Sequence, residues 1–318
     1  MLYRTYADYF REKFGSRIQK LSIDGGFTCP NRDGKVGTGG CTFCRNDAFN
    51  PSYCRRVDSI AAQLDEGIAF HRHRYRNAPK YLAYFQAYSN TYAPVEVLRE
   101  RYMQALGRED VVGIVIGTRP DCIDEAKLDL LEELAKEHYV AVEYGIESCY
   151  DRTLRAINRG HNFACTQRAV EMTARRGLAV GGHLIIGLPG ESRDDIVNET
   201  AMLNTMPLTS IKFHQLQILK DTAMEQQYGD EAFRASLLQL SLEEYIALVC
   251  DILERLRPDM VVERVAGEVP PRYQACPERS FRRKDGRLMR NEELPALVEA
   301  ELQRRGSRQG TKYKNQTP

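Results

Sequence analysis

Three cysteines near the N-terminus have a spacing that suits metal chemistry. The glycine-rich segment DGGFTCPNRDGKVGTGGCTFC (24–44) places Cys29, Cys41 and Cys44 in a C-x11-C-x2-C pattern. Its glycines let the loop turn tightly and leave backbone N–H groups that can bond sulfur. Thiolates at this density select zinc, copper(I) or an iron–sulfur cluster.

The number of ligands helps to separate these metals. A structural zinc site needs four ligands, but this segment holds only one C-x2-C pair. His71 and His73 lie two residues apart in a predicted helix, so they cannot face the same point. Cys54 could complete a four-cysteine zinc site. Three cysteines without a fourth ligand instead favour a [4Fe-4S] cluster with one iron left open for chemistry.

Short β-branched or aromatic runs alternate with amphipathic helical patterns along the chain, which predicts an α/β fold with a parallel sheet. The predicted strands are 18–23, 81–86, 113–117, 140–145, 179–186 and 211–216. The predicted helices are 57–75, 94–106, 124–137, 151–176 with a break near Gly160, 193–205 and 240–255. Six such units suit a doubly wound sheet or a partial barrel, and their even spacing favours the barrel. In both folds the reactive groups follow the C-terminal ends of the strands.

Several ordered motifs resemble those of the radical S-adenosylmethionine (radical SAM) superfamily. Besides the cysteine segment, FQAYSNTY (85–92) lies where that superfamily binds the methionine amine, and VEYGIES (142–148) matches positions that face the ribose or methionine. GGHLIIGLPGES (181–192) is similar to the adenine-binding motif. GTRPDCI (117–123) and YGIESCYDRTLRAINRGH (144–161) add a closer resemblance to the branch of the Elongator catalytic subunit, and the whole chain looks like the YhcC/YtqA-type proteins.

The resemblance implies a partial (β/α)6 TIM-type barrel of the radical SAM core, with a C-terminal extension. It also implies two cofactors, a [4Fe-4S] cluster held by Cys29, Cys41 and Cys44, and S-adenosylmethionine, whose reductive cleavage yields a 5′-deoxyadenosyl radical. The residues implied to line the cofactor are Phe43, Gln86, Ser89, Asn90, Glu147, Ser148 and Gly187.

Other candidate residues lie near strand ends or carry a free thiol. The candidates for catalysis are His183, His214, Lys220, Cys54 and Cys276. The two histidines could donate protons, and the two thiols could serve as an extra cluster ligand or as a thiyl hydrogen donor. The candidate substrate contacts are Arg119, Asp121 and Tyr88. Tyr88 belongs to an aromatic group around the second strand that could stack on an extruded base.

The chain divides into three predicted parts. Residues 1–225 form the radical SAM core, and residues 226–270 add a helix and a strand that pack on it. Residues 271–318 form a basic, partly flexible extension with a short helix around 291–304. No run of about 18 apolar residues and no secretory signal occur, so we expect a cytoplasmic protein without a membrane segment.

The charge pattern bears on the partners. A net charge of +1 argues against a globally basic nucleic-acid binder, but residues 272–314 carry twelve Lys or Arg against six Asp or Glu. HRHRYRNAPK (71–80) is a second basic run, and both runs could contact phosphates. The resemblance points to tRNA, with modification of the wobble uridine side chain, and to an electron donor such as flavodoxin or ferredoxin. The alternatives are a radical enzyme on a small metabolite and a zinc-stabilised nucleic-acid-binding protein without catalysis.

Overall fold

The computed structural model describes residues 1–55, 58–74, 78–283 and 285–314. Within these ranges, seven strands form one parallel sheet in which neighbours follow chain order. The strands are β1 (Ile18–Ile23), β2 (Lys80–Phe85), β3 (Val111–Thr118), β4 (Tyr139–Glu147), β5 (Ala179–Ile186), β6 (Ser210–Gln215) and β7 (Val261–Arg264). Lys20 on β1 contacts Glu263 on β7, so the sheet curls until its two edge strands face each other. The predicted partial barrel is confirmed, with a seventh strand added to the six.

Helices connect the strands and cover the outside of the barrel. They are α1 (Tyr6–Phe14), α2 (Ile60–Arg74), α3 (Val95–Leu106), α4 (Glu125–Leu134), α5 (Asp151–Ala156), α6 (Phe163–Arg175), α7 (Arg193–Thr205), α8 (Ala223–Gln227), α9 (Glu231–Ala235), α10 (Leu242–Arg255) and α11 (Leu294–Arg304). Ser192 and Ser241 begin α7 and α10 with capping boxes, in which the serine and the third helical residue bond each other's backbone N–H. The main apolar core lies between these helices and the sheet.

The first helix closes the lower end of the barrel. Phe10 on α1 packs with four inward-facing strand residues in a separate buried cluster. Its ring also meets the ring of Tyr139, at the start of β4, edge to face at 5.4 Å. Apolar side chains close the barrel at the N-terminal ends of the strands. The polar interior of the barrel therefore opens at their C-terminal ends. The sequence-based prediction had not included α1.

Two predicted helices can be compared in detail with the structure. The break predicted near Gly160 in the helix 151–176 is confirmed: the segment forms two helices, α5 and α6, because Asn158 and Gly160 have φ values of +51° and +78° that no helix accommodates. The helix predicted over 57–75 is α2, and its predicted ends fall on residues outside those described. No helix in the described part of the chain is long and apolar enough to cross a membrane.

The described part of the C-terminal extension folds back onto the core. Leu302 of α11 is fully buried, and the Cys250 thiol of α10 donates to the carbonyl of Val298 across that helix pair. Further on, Gln309 donates to the carbonyl of Met260 and accepts from the backbone N–H of Arg4. The extension therefore ties the N-terminus to the end of the sheet.

Candidate active site

A cavity of about 370 Å³ lies at the C-terminal ends of the strands. Residues from all seven strands or from the loops that follow them line it. This is the position that a parallel barrel offers for chemistry, because the loops after the strands converge there.

The three cysteines of the loop after β1 all line this cavity. Burial and then the neighbouring thiols of Cys41 and Cys29 raise the pKa of Cys44, since the three sulfur atoms lie within electrostatic reach of one another. Gly39 and Gly40 have φ values of +79° and +84°, which glycine adopts readily, so the chain can reverse just before Cys41.

Two side chains donate hydrogen bonds to the sulfur of Cys41. Arg159 Nη1 lies 3.5 Å from Cys41 Sγ, and Asn31 Nδ2 lies 3.7 Å from it. Arg159 is buried and is held by the carbonyl of Gly145 at 2.7 Å and by Glu147 at 3.4 Å. Donors of this kind orient a metal-bound thiolate and stabilise its charge. The loop therefore fits an iron–sulfur cluster.

The residues predicted to line the cofactor fall into two groups. Those that line the cavity are Phe43, Gln86, Ser89 and Glu147. The other three, Asn90, Ser148 and Gly187, are not among its lining residues. The Asn90 amide instead donates to the carbonyls of Phe85 and Gly117, which ties the ends of β2 and β3 together. The Ser148 hydroxyl donates to Glu191 Oε1 at 2.5 Å, beside the cavity wall.

Two lining residues have unusual backbone conformations. Tyr88 and Glu147 have φ values of +64° and +65°, a region that residues other than glycine rarely adopt. At Glu147 a bulge accompanies this conformation, because Gly145 pairs with His183 while Glu147 pairs with Leu184. Gly145 and Glu147 both line the cavity. Such strain is common where a fold must aim a side chain at a ligand.

The predicted catalytic candidates are also divided by the structure. His183 and His214 line the cavity, whereas Lys220, Cys54 and Cys276 do not. Burial raises the pKa of Cys54 to about 12 and that of Cys276 to about 11, so both are neutral thiols. Lys220 is exposed beyond β6, where its carbonyl accepts a hydrogen bond from Arg45.

The predicted substrate contacts lie at the β2 and β3 side of the cavity. Tyr88 and Arg119 line it, and Asp121 supports Arg119 through two hydrogen bonds of 2.9 and 2.7 Å. Arg119 also donates to the carbonyl of Arg159, which places it close to the cysteine loop. Its buried Nη1 has no hydrogen-bond partner among the described residues, so it can bind a ligand atom.

A charged network forms the floor of the cavity, and the sequence-based prediction had missed it. Glu143 on β4 accepts from Lys20 at 2.5 Å, from Lys212 at 3.0 Å and from His183 at 2.8 Å. Glu263 on β7 contacts the same two lysines, each at 3.0 Å. Burial would raise the pKa of Glu143, but the two lysines and His183 hold it well below its ordinary range. The signal in the sequence was a charged residue inside each of several apolar strands, which demands a partner.

Comparison with known proteins identifies the family. A model described as the Radical SAM superfamily matches residues 32–202, more than half of the chain, and a model described as the Radical_SAM C-terminal domain matches residues 208–291. The chain belongs to the Radical SAM superfamily, whose members bind a [4Fe-4S] cluster and S-adenosylmethionine.

Curated relatives support the predicted YhcC/YtqA type. The chain is 39% identical to the uncharacterized protein YtqA of Bacillus subtilis over 97% of this chain and 92% of the relative. It is 40% identical to YhcC of Escherichia coli over 80% of each chain. A shorter match, 35% over 81 residues, covers 26% of this chain and 15% of the tRNA uridine(34) acetyltransferase of Methanocaldococcus infernus.

A solved structure has the same fold. The Elp3 of Methanocaldococcus infernus with an N-terminal deletion superposes with a TM-score of 0.66 at 16% identity over 92% of this chain. This chain spans 64% of the length of that structure.

Proposed function

We propose that this radical SAM enzyme holds a [4Fe-4S] cluster through Cys29, Cys41 and Cys44 and modifies the side chain of the wobble uridine of tRNA. The observation that carries the cluster assignment is the common cavity of the three thiols, with Arg159 and Asn31 donating to Cys41. The family model begins at residue 32, so the assignment of Cys29 rests on this geometry and on the spacing.

The arrangement of the thiols supports a cluster over a single zinc ion. Among the described residues, no three His, Cys, Asp or Glu side chains converge on a point that could hold one metal ion. In a cluster each thiolate binds a different iron, so the three sulfur atoms surround a space instead of converging. Cys54, the candidate fourth zinc ligand, is buried beside Asp24 and does not line the cavity.

The protein's own residues have defined tasks around these cofactors. When bound, the cluster and S-adenosylmethionine supply a 5′-deoxyadenosyl radical that abstracts hydrogen. Arg159 and Asn31 orient the Cys41 thiolate, while the unpartnered Nη1 of Arg119 and the polar groups of Gln86 and Glu147 are available to bind S-adenosylmethionine. The apolar seal of α1 keeps water out of the lower barrel, which protects a reactive radical from side reactions.

Two observations support a tRNA substrate. One is a group of cationic and aromatic residues around Arg45, which lines the cavity, and the other is the short match to the tRNA uridine(34) acetyltransferase. The guanidinium groups of Arg45 and Arg272 each lie 4.8 Å from the centre of the Tyr273 ring. Lys220 joins this group, since its backbone N–H bonds the carbonyl of Tyr273. Cations around an aromatic ring suit a phosphate backbone and an unstacked base. The basic run 71–80 lies partly outside the described residues.

Anaerobic reconstitution with iron and sulfide tests the cluster. We expect the wild-type protein to become brown, to hold about four iron atoms, and to release 5′-deoxyadenosine from S-adenosylmethionine with a chemical reductant or a flavodoxin or ferredoxin as electron donor. A variant with Cys29, Cys41 and Cys44 replaced by Ala should do none of these, whereas Cys165→Ala, which removes a thiol outside the cavity, should behave as wild type. A colourless protein with one bound zinc would refute the cluster.

The nucleosides of tRNA test the substrate. We expect tRNA from cells that lack the gene to show an altered wobble uridine, and the purified enzyme to restore the wild-type nucleoside in that tRNA. The cluster-free triple variant is the control. If the nucleoside profile is unchanged while 5′-deoxyadenosine still forms, the substrate is not tRNA and the small-metabolite alternative stands.

A further inference from the structure

The cavity lining carries more positive than negative charge. Among the described residues that line it, seven are Lys or Arg and three are Glu. Five of the seven cations contact carboxylates, namely Lys20, Arg45, Arg119, Arg159 and Lys212. Arg32 and Arg264 form no ion pair with a carboxylate among the described residues, and their hydrogen bonds go to the Cys44 carbonyl and to the His214 ring. Arg32 bonds the carbonyl of Cys44 beside the cluster loop, so Arg264 is the unneutralised cation of the floor.

A bulge in the last strand aims Arg264 into the cavity. Ile211 pairs with Val262 but Lys212 pairs with Arg264, so Glu263 is an extra residue in β7. A bulge rotates the side chains on either side of it, and here the consecutive residues Glu263 and Arg264 both line the cavity. Glu263 contacts Lys20 and Lys212, whereas Arg264 contacts a different residue.

That neighbour is a neutral imidazole. Arg264 Nη2 donates to Nε2 of His214 at 2.6 Å. Burial and then the charges of Arg264 and Lys212 hold the pKa of His214 well below its ordinary range. The imidazole therefore orients the guanidinium without neutralising its charge. Arg264 Nε is buried and has no hydrogen-bond partner among the described residues.

The local sum of charges leaves one positive charge to be balanced. Lys20, Lys212 and Arg264 face Glu143 and Glu263, and burial together with the Lys212 charge lowers the pKa of His183 to about 4, so that ring adds no charge near neutral pH. A partly buried guanidinium without a counter-charge is costly unless a ligand supplies an anion.

We propose that Arg264, oriented by His214 and assisted by the Lys212 charge, binds an anionic group of the substrate at the floor of the cavity. A carboxylate or a phosphate oxygen has the charge and the acceptor geometry that the free edge of a guanidinium requires. The inference rests on the proposed function, because it takes this cavity to be the substrate site. It restricts the substrate class to molecules with an anionic group. That group would lie deeper in the barrel than the atom that reacts.

Calorimetric titration with sodium acetate and with inorganic phosphate, at constant ionic strength set by chloride, tests the subsite. The titration is done on reconstituted protein saturated with S-adenosylmethionine and again on protein without a cluster. We expect Arg264→Gln to weaken binding of the preferred anion about tenfold or more, and Arg264→Lys to lie between, since it keeps the charge but loses the planar fork. Arg99→Gln removes a surface arginine paired with Glu133 and should bind as wild type.

The two anions distinguish the source of the charge. Tighter binding of acetate assigns the subsite to a carboxylate on the substrate, and tighter binding of phosphate assigns it to a nucleotide phosphate. If Arg264→Gln binds each anion as tightly as the wild type does, the proposal is overturned. If the protein never takes up a cluster but its anion binding still depends on Arg264, the proposed function is refuted and the anion subsite stands.

Chemical protection covers the case in which Arg264→Gln fails to fold. The wild-type protein is treated with phenylglyoxal, and modification of Arg264 is followed by mass spectrometry with and without the preferred anion. We expect the anion to slow modification of Arg264 several-fold while leaving exposed Arg155 unaffected. Equal modification rates at Arg264 with and without the anion would also overturn the proposal.

Discussion

Arg159 Nη1 lies 3.5 Å from the sulfur of Cys41, although the two residues are 118 positions apart in the chain. The guanidinium is buried, and the same side chain bonds the carbonyl of Gly145 and contacts Glu147. A buried cation that donates to a ligand sulfur stabilises the more negative, reduced form of an iron–sulfur cluster. In the proposed cluster site, we therefore expect Arg159 to be a positioning residue that acts on the cluster through Cys41.

Replacing Arg159 with Met should make the cluster harder to reduce. Loss of the positive charge and of the N–H donor should shift the midpoint potential to more negative values, and Arg159→Lys, which keeps the charge, should recover part of the shift. Redox titration followed by electron paramagnetic resonance measures the potential without any turnover. Arg155→Gln, an exposed arginine on α5, is the matched control. An unchanged potential in Arg159→Met would show that the contact does not tune the cluster.

A second variant reaches the same contact from the other side. A Cβ added at Gly145 would clash with Glu147 Oε1 and would lie 2.5 Å from Arg159 Nη2. Gly145→Ala should therefore push the guanidinium away from Cys41 and lower the midpoint potential. Combined with Arg159→Met, it should add little further shift, because both changes remove one interaction. Additive shifts in the double variant would mean that Gly145 acts on the cluster by another route.

The sequence predicted the strands and the cysteine loop well because those features are local. Periodicity placed β1 and β5 at their observed bounds, and the cysteine spacing put three thiols after β1. The order of the motifs also predicted that residues at the C-terminal ends of different strands, such as Gln86 and Glu147, would meet in one cavity.

The features that the sequence did not reveal depend on distant contacts. Nothing in the motif around Arg159 indicates Cys41 as its partner, and nothing around Arg264 shows that its neighbour is an uncharged histidine. The bulge at Glu263 is equally hidden, because it changes register between strands and not the pattern along one strand. The sequence shows charged residues within apolar strands, such as Lys212. It does not show their partners, because these lie on other strands that come close only when the sheet curls.

Removing the central carboxylate of the cavity floor should cost much of the stability. Glu143→Gln leaves Lys20 and Lys212 with Glu263 as their shared counter-charge, and we expect a loss of about 3–5 kcal/mol in the free energy of unfolding. Guanidinium chloride denaturation measures it. The same substitution at Glu133, in an exposed pair with Arg99, should change the free energy of unfolding far less, because solvent screens that pair.

A double variant checks the cause of that loss. Adding Lys212→Met to Glu143→Gln removes one of the two lysines that lost its partner, so the double variant should be more stable than the sum of the single changes predicts. Strict additivity would mean that the stability loss of Glu143→Gln has another origin, such as disturbed packing against His183.

Glu191 should make stability depend on pH in a direction unusual for a carboxyl group. Burial raises its pKa from 4.5 to about 7, and its Oε2 has no hydrogen-bond partner among the described residues. A raised native pKa gives stability that is complete below pH 4.5, where the carboxyl is protonated in both states. This stability is lost as the pH rises from about 4.5 to about 7, because the unfolded state releases the proton over that range while the buried native carboxyl keeps it.

Glu191→Gln, which mimics the protonated carboxyl, should remove this dependence. The variant should match the wild type near pH 4.5 and exceed its unfolding free energy by up to about 3 kcal/mol at pH 8. Burial and the Glu191 charge both raise the pKa of Glu199. Removing the Glu191 charge therefore removes a repulsion of Glu199 and should further increase the unfolding free energy of the variant. Denaturant unfolding from pH 4.5 to 8 measures the difference, with the exposed Glu137→Gln as control. A constant difference between Glu191→Gln and wild type across this range would contradict a raised pKa at Glu191.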